Sequence, residues 1–440
     1  MQLDLETFII LAAAVLLGAK ACWQTALAVL NRTRVLKSRQ SPPDTVLRVM
    51  DPETYNRSVD YTLARNRLEL FSIWYGAVVL AVILFSGILP WFYHHFFDSG
   101  SDVHVLRESL FLAAVYLGFY ATGLPLDYYS SFRLEERFGF NKSTIGLWIS
   151  DQLKSLVIGM VIALPLLSLI VWLIIMAGSL WWIFAFALVF FFQVVMMVLY
   201  PLLILPLFNK LTPLSDEQLR ERLMNLADRT GFQAKTIQVM DGSKRSGHSN
   251  AFFTGFGRFR RIVLFDTLVE KLEPRELEAV LAHEIGHYKR GHVPRMLTLS
   301  AAMLLAGFAL AAWLLETPAF IQAFGFQAEH AGPAPALVLF ALLAGVVTFW
   351  LSPVLGALSR RHEYQADGFA AEQMGGVQPM IQALTRLGTE NLANLTPHPL
   401  YSGFYYSHPT LMERMNALEQ AAEGKSQARA KDFNGRQWGR

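Results

Sequence analysis

Seven apolar runs divide this chain, at roughly 8–29, 70–92, 109–126, 156–177, 180–207, 296–315 and 336–358. Each is near or above the about 20 residues that a helix needs to cross the hydrocarbon core of a bilayer. The fourth and fifth form one uncharged stretch between Lys154 and Lys210. That stretch is too long for one crossing and divides at Gly178-Ser179. The first run holds Lys20, which is costly in lipid unless it meets a partner or a wet interior. It is too long for a signal-peptide core and lacks a basic leader, so it reads as retained.

Between the runs lie two polar segments, and the pattern divides the chain into five parts. Residues 1–207 are a membrane region of five helices. Residues 208–295 are a polar segment with a helix at 215–229, opened by Ser215 and Gln218 in a capping-box arrangement. Strand-like runs follow at Thr236 to Met240, Asn250 to Gly255 and Arg261 to Phe265, separated by Asp241-Gly242-Ser243 and Gly255-Phe256-Gly257. Residues 296–358 are a membrane hairpin, 359–423 a second polar and largely helical segment, and 424–440 a basic, flexible tail. The expected fold is an all-α multi-pass membrane protein, seven transmembrane helices with a polar domain that contains a small β-sheet.

Composition agrees. The chain has 440 residues, 53% hydrophobic and 17% charged, against about 25% charged in soluble domains. Its net charge of +3 gives no reason to expect nucleic acid as a partner. The one cysteine, Cys22, cannot form an internal disulfide and excludes cysteine-based zinc sites. Its place in an apolar run predicts burial. Lys and Arg lie on one side of the spans: eight occur from Arg32 to Arg67, whereas the opposite loops hold only Arg107. That bias places the N-terminus outside and the C-terminus in the cytoplasm. With no recognisable retention signal, a bacterial inner membrane is favoured over the endoplasmic reticulum.

The chemistry concentrates in His283-Glu284-Ile285-Gly286-His287. Histidines four apart share one face of a helix, so both imidazoles can reach one Zn²⁺, with Glu284 placed to take a proton from a water at the metal. Leu277, Val280, Leu281 and Ile285 are apolar at helical spacing, and Pro274 suits a first helical turn. A catalytic zinc needs a third protein ligand. His292 comes one residue too early for a metzincin ligand and is discounted. Arg360 to Asp367 lies just past the seventh run, where the membrane hairpin returns the chain to the level of His287. His362 and Glu363 are adjacent and cannot both face the metal. Asp367 shares the face of Glu363 and can orient a zinc-bound histidine, which favours Glu363. Asn250-Ala251-Phe252-Phe253 reads as an edge strand able to pair with a substrate backbone, or equally as an ordinary strand of the sheet. His408 stands in a polar loop and could donate to an oxyanion, although a lone loop histidine is more often structural.

These segments together resemble the type I CAAX prenyl endopeptidases, integral-membrane zinc proteases of the gluzincin class. The resemblance is carried by the 283–287 motif, Ser359 to Asp367, Ser249 to Phe253 and Tyr406-Ser407-His408-Pro409. Glu135 to Lys142 and Phe208 to Leu214 add to it, and it runs from about Tyr55 to Leu418. It implies His283, His287 and Glu363 as ligands of one Zn²⁺, Glu284 as general base and Asp367 behind a ligand. His408 and Asn250, with the Ala251-Phe252 strand, become contacts to substrate or transition state. It also implies seven helices around an intramembrane chamber. His362 departs from the aromatic or small residue common before the ligand glutamate.

The expected activity is zinc-dependent hydrolysis of peptide bonds in CAAX-type C-termini or other membrane-associated peptides at the cytoplasmic face. The expected partners are a peptide or protein substrate, prenylated or not, and the lipid bilayer. No readable motif encodes an oligomeric state. Two rivals stand beside this reading. A membrane quality-control protease of the heat-shock type should have fewer spans. A transporter with structural zinc should place paired ionisable residues at the bilayer centre, where Lys20 is the sole charge.

Overall fold

The computed structural model describes residues 4–97, 104–233, 235–254 and 261–437. Among them, seven helices are long and apolar enough to span a membrane: Leu5–Gln40, Pro52–Phe85, Val105–Glu135, Ile145–Met176, Gly178–Phe208, His292–Leu315 and Ala334–Gln373. Six exceed 30 residues, about 45 Å at 1.5 Å per residue, so their ends project beyond a hydrocarbon core of about 30 Å. Val78, Val161 and Phe191 are each at least 58% exposed on these helices, as apolar side chains can be where lipid takes the place of a protein neighbour.

Two spans differ from the runs in the sequence. The second helix ends at Phe85, because Gly87 adopts the left-handed conformation (φ 79°) and a separate helix, Ile88–Phe96, begins after it. The seventh consists of Ala334–Val347, a tight turn at Thr348–Leu351, and Ser352–Gln373. The boundary expected at 358/359 therefore falls inside a helix, and Glu363 sits on the continuation of the seventh span.

Space remains between the membrane helices. A cavity of about 500 Å³ is lined by Tyr61, Arg65, Glu69 and Tyr406 among others, and one of about 380 Å³ by Lys20, Gln24 and Tyr405; the two share Glu69 and Ser72. Lys20 faces this interior and donates to the Gly345 carbonyl at 3.0 Å, which answers the objection to its charge. Cys22 is exposed, contrary to the expectation of burial. Cysteine is buried in soluble cores because water is the alternative. On a membrane helix the alternative is lipid, which an apolar side chain tolerates.

The polar domain is built on a four-stranded sheet, ordered β1-β2-β4-β3. Its strands are β1 (Leu211–Pro213), β2 (Thr236–Met240), β3 (Ala251–Thr254) and β4 (Arg261–Phe265). β2 and β4 run parallel, while β1 and β3 pair antiparallel at the two edges. β1 has no signal in the sequence, being three residues long with a proline. The turn expected at Gly255-Phe256-Gly257 lies outside the described residues. The helix after β1 is Glu217–Arg229, and its cap is Asp216, whose side chain accepts from the Leu219 amide; Ser215 does not cap it. Leu223, Ile237, Ile262, Leu264, Leu281 and Ile285 form one buried core that fastens this helix and the sheet to Pro274–Lys289. The last helix, Leu411–Gln437, runs through most of the stretch read as a tail.

Candidate metal centre

The helix Pro274–Lys289 carries both histidines. It starts with Pro274 at its first position and a capping box in which Glu273 and Glu276 each bond the other's backbone amide. Against it packs Ser352–Gln373. Gly286 permits that approach: a Cβ there would lie 3.0 Å from the Ala366 Cα and 3.2 Å from its carbonyl oxygen. Ala366 stands between Glu363 and Asp367, so this contact sets the distance between the two halves of the site. Gly286→Val should force the helices apart, lowering stability by about 1–3 kcal/mol and weakening metal binding. Thermal melts and zinc titration check both effects.

Three donors converge across this interface. His283 Nε2 lies 3.2 Å from His287 Nε2 and 3.3 Å from Glu363 Oε2, and His287 Nε2 lies 3.3 Å from Glu363 Oε1. Ligands about 2.0–2.1 Å from a tetrahedral ion stand about 3.3 Å apart, which matches all three separations. Glu363 is 3% exposed, and its buried Oε2 makes no hydrogen bond. A buried carboxylate oxygen left so is a marked cost unless a cation completes it. Among the described residues, these three form the one cluster of acidic, histidine or cysteine side chains with metal-ligand spacing. The residues fit the metal.

The surroundings orient these groups. Asp367 Oδ1 is 2.8 Å from His283 Nδ1. Arg414, which sequence reasoning missed, donates to both Asp367 oxygens at 2.6 and 2.8 Å and has a nitrogen 3.3 Å from His283 Nδ1. Nothing in sequence separates Arg414 from other arginines; its place six residues after His408, on a helix opened by reciprocal Thr410–Glu413 bonds, brings it here. Burial pulls the His283 imidazole down, but the Asp367 and Glu363 carboxylates beside it override that and carry it up to about 9. A metal binds the deprotonated nitrogen, so loading releases that proton. Burial pushes the Glu284 carboxyl above the usual carboxylate range, against the pull of His283 and His287. A raised carboxyl suits a group that must take a proton and return it.

His408 reaches the same centre, with Nε2 3.4 Å from Glu363 Oε1. Arg360 holds its loop by donating to the Tyr406 carbonyl at 2.6 Å. His362 turns away from the metal ligands and stacks on His292 with ring centres 4.1 Å apart. Asn250 lies just ahead of β3, where its carbonyl accepts from the Phe265 amide and its side chain from the Ala251 amide. Ala251 and Phe252 pair with Leu264 and Val263, and among the described residues no strand pairs with the other side of β3. Phe253 shares a cavity of about 530 Å³ with His287 and Met296. The segment before β3 is tied to the membrane helices: Arg245 makes two bonds to Asp151, and His248 Nε2 lies 3.3 Å from Glu135 Oε2.

Comparison with known proteins gives the same picture from another direction. The family described as CAAX prenyl protease N-terminal, five membrane helices, matches residues 32–210, and peptidase family M48 matches 213–422. CAAX prenyl protease 1 of Saccharomyces cerevisiae is 37% identical over 401 residues, 86% of this chain and 88% of that protein. The Homo sapiens homologue of CAAX prenyl protease 1 is 32% identical over 440 residues, 90% of this chain and 92% of that protein. The crystal structure of S. mikatae Ste24p aligns with a TM-score of 0.87 at 33% identity, covering 95% of this chain and 100% of that one.

Proposed function

Because this chain belongs to peptidase family M48, as a membrane metalloendopeptidase of the type I CAAX prenyl protease group, we propose that His283, His287 and Glu363 hold one Zn²⁺ and that Glu284 is its general base. The observation that carries the reading is the convergence of three donor atoms at 3.2–3.3 Å around a buried carboxylate oxygen without a hydrogen bond. When bound, zinc supplies a Lewis acid that polarises the scissile carbonyl and makes water acidic enough to attack it.

The protein's own groups do the rest. Glu284 takes the proton of the attacking water and delivers it to the leaving amine as the C–N bond breaks. His408 donates a hydrogen bond to the oxygen that gains charge. Asp367 accepts from His283 Nδ1 and so points Nε2 at the centre, while Arg414 balances the charge of Asp367. The outer edge of β3, from Asn250 through Ala251 and Phe252, pairs with an extended substrate backbone.

The match to the five-helix N-terminal domain and the near full-length likeness to CAAX prenyl protease 1 favour this group over heat-shock-type proteases and over transporters. The substrate we assign is a CAAX-type C-terminus or another membrane-associated peptide, cut at the cytoplasmic face. Residues 1–207 and 296–358 supply the membrane region, and 208–295 with 359–423 supply the protease. The Lys and Arg bias supports an outside N-terminus and a cytoplasmic C-terminus; a bacterial inner membrane is the compartment we favour. One CAAX peptide should be offered to the purified protein in farnesylated and bare forms, with products read by mass. Cleavage of either at the CAAX sequence supports the reading, and a preference between them defines the role of the lipid. No cleavage of either by zinc-loaded protein overturns the CAAX-type C-terminus as substrate.

A further inference from the structure

We propose that His292 and Gln365 are positioning residues that fix the ring of His287 with its Nε2 lone pair toward the metal, and thereby set metal affinity. The inference rests on the reading of His283, His287 and Glu363 as ligands. His287 faces that centre through Nε2, and its other nitrogen, Nδ1, lies 3.0 Å from His292 Nδ1. Two imidazole nitrogens at that distance share one hydrogen, so one donates and the other accepts. His292 decides which. Its Nε2 lies 2.9 Å from Gln365 Oε1, an amide carbonyl oxygen that only accepts. The hydrogen of His292 therefore sits on Nε2 and leaves Nδ1 as an acceptor. His287 must then carry its own hydrogen on Nδ1, with the lone pair on Nε2, the atom that meets Glu363 Oε1 at 3.3 Å.

Packing keeps this chain of bonds in place. Gly291 takes the left-handed conformation (φ 68°) between the motif helix and the sixth membrane helix, which turns His292 back over His287. His292 is 3% exposed, and its face lies flat on His362 at 4.1 Å and 13°. Turning the ring over in its plane would set carbons where Nδ1 meets His287 and Nε2 meets Gln365, and both bonds would be lost. Each histidine ligand thus has its own orienting partner: an aspartate held by Arg414 for His283, and a neutral His–Gln relay for His287. His292 contributes to the centre although it is no ligand itself.

The test is zinc affinity of the full-length protein in detergent, measured by competition with a fluorescent zinc chelator, with melts of the metal-free forms as a check on folding. His292→Phe keeps a ring to stack on His362 and removes the acceptor; loss of a partner of this kind typically weakens metal binding about 10–100-fold. Gln365→Leu should weaken it less, and Gln365→Glu, which keeps an acceptor oxygen, should stay near the parent. Parent-like affinity in both His292→Phe and Gln365→Leu overturns the proposal. If His292→Phe does not fold, Gln365→Leu against Gln365→Glu decides alone, because that side chain is only half-buried. His283→Ala separates the two levels: parent-like zinc binding there would refute the ligand set, and the relay with it.

Discussion

Glu284→Gln is expected to abolish peptide cleavage while leaving the fold and the zinc content unchanged. Gln keeps the size of Glu284 and cannot accept a proton, so water activation and protonation of the leaving amine fail together. General acid–base catalysis is worth about 10²–10⁴-fold, and the loss should fall in kcat, with KM little moved. The metal should stay, since Glu284 supplies none of the three converging donors. Zinc analysis beside single-turnover cleavage of a CAAX peptide separates these effects. Turnover close to the parent rate would remove Glu284 from the mechanism.

Glu363→Ala and His362→Ala should part company in their metal content. Glu363 offers one oxygen to each histidine, at 3.3 Å in both cases. Without it the site keeps two imidazoles, and the buried Arg414, 3.9 Å from Glu363 Oε2, loses a counter-charge. Bound zinc should fall from one per chain to a small fraction, with activity falling in parallel. His362→Ala removes the ring stacked on His292 and opens a void in a buried position. It should lower the melting temperature and keep most of the zinc. Elemental analysis of the two purified variants decides; zinc retained by Glu363→Ala and lost from His362→Ala would reverse the assignment.

Much of this was legible because membrane helices and the metal motif both rest on local spacing. About 20 apolar residues announce a span, and two histidines four apart share a face in any helix. The limits of legibility were local too. β1 is too short to leave a pattern, and the helix break at Ser86-Gly87 lies inside an apolar run that composition reads as continuous. Cys22 was misjudged because burial frequencies come from proteins surrounded by water.

By itself, then, the chain's pattern determined seven spans, a polar domain with a small sheet, and the candidate ligands His283, His287 and Glu363. Tertiary structure alone brought Arg414 onto Asp367, His292 onto His287 and His408 to Glu363. These contacts join residues on different elements, many of them distant in sequence, and their geometry depends on how closely two helices pack. Here that closeness is set by Gly286 against Ala366, and no periodicity along the chain records a distance between two helices.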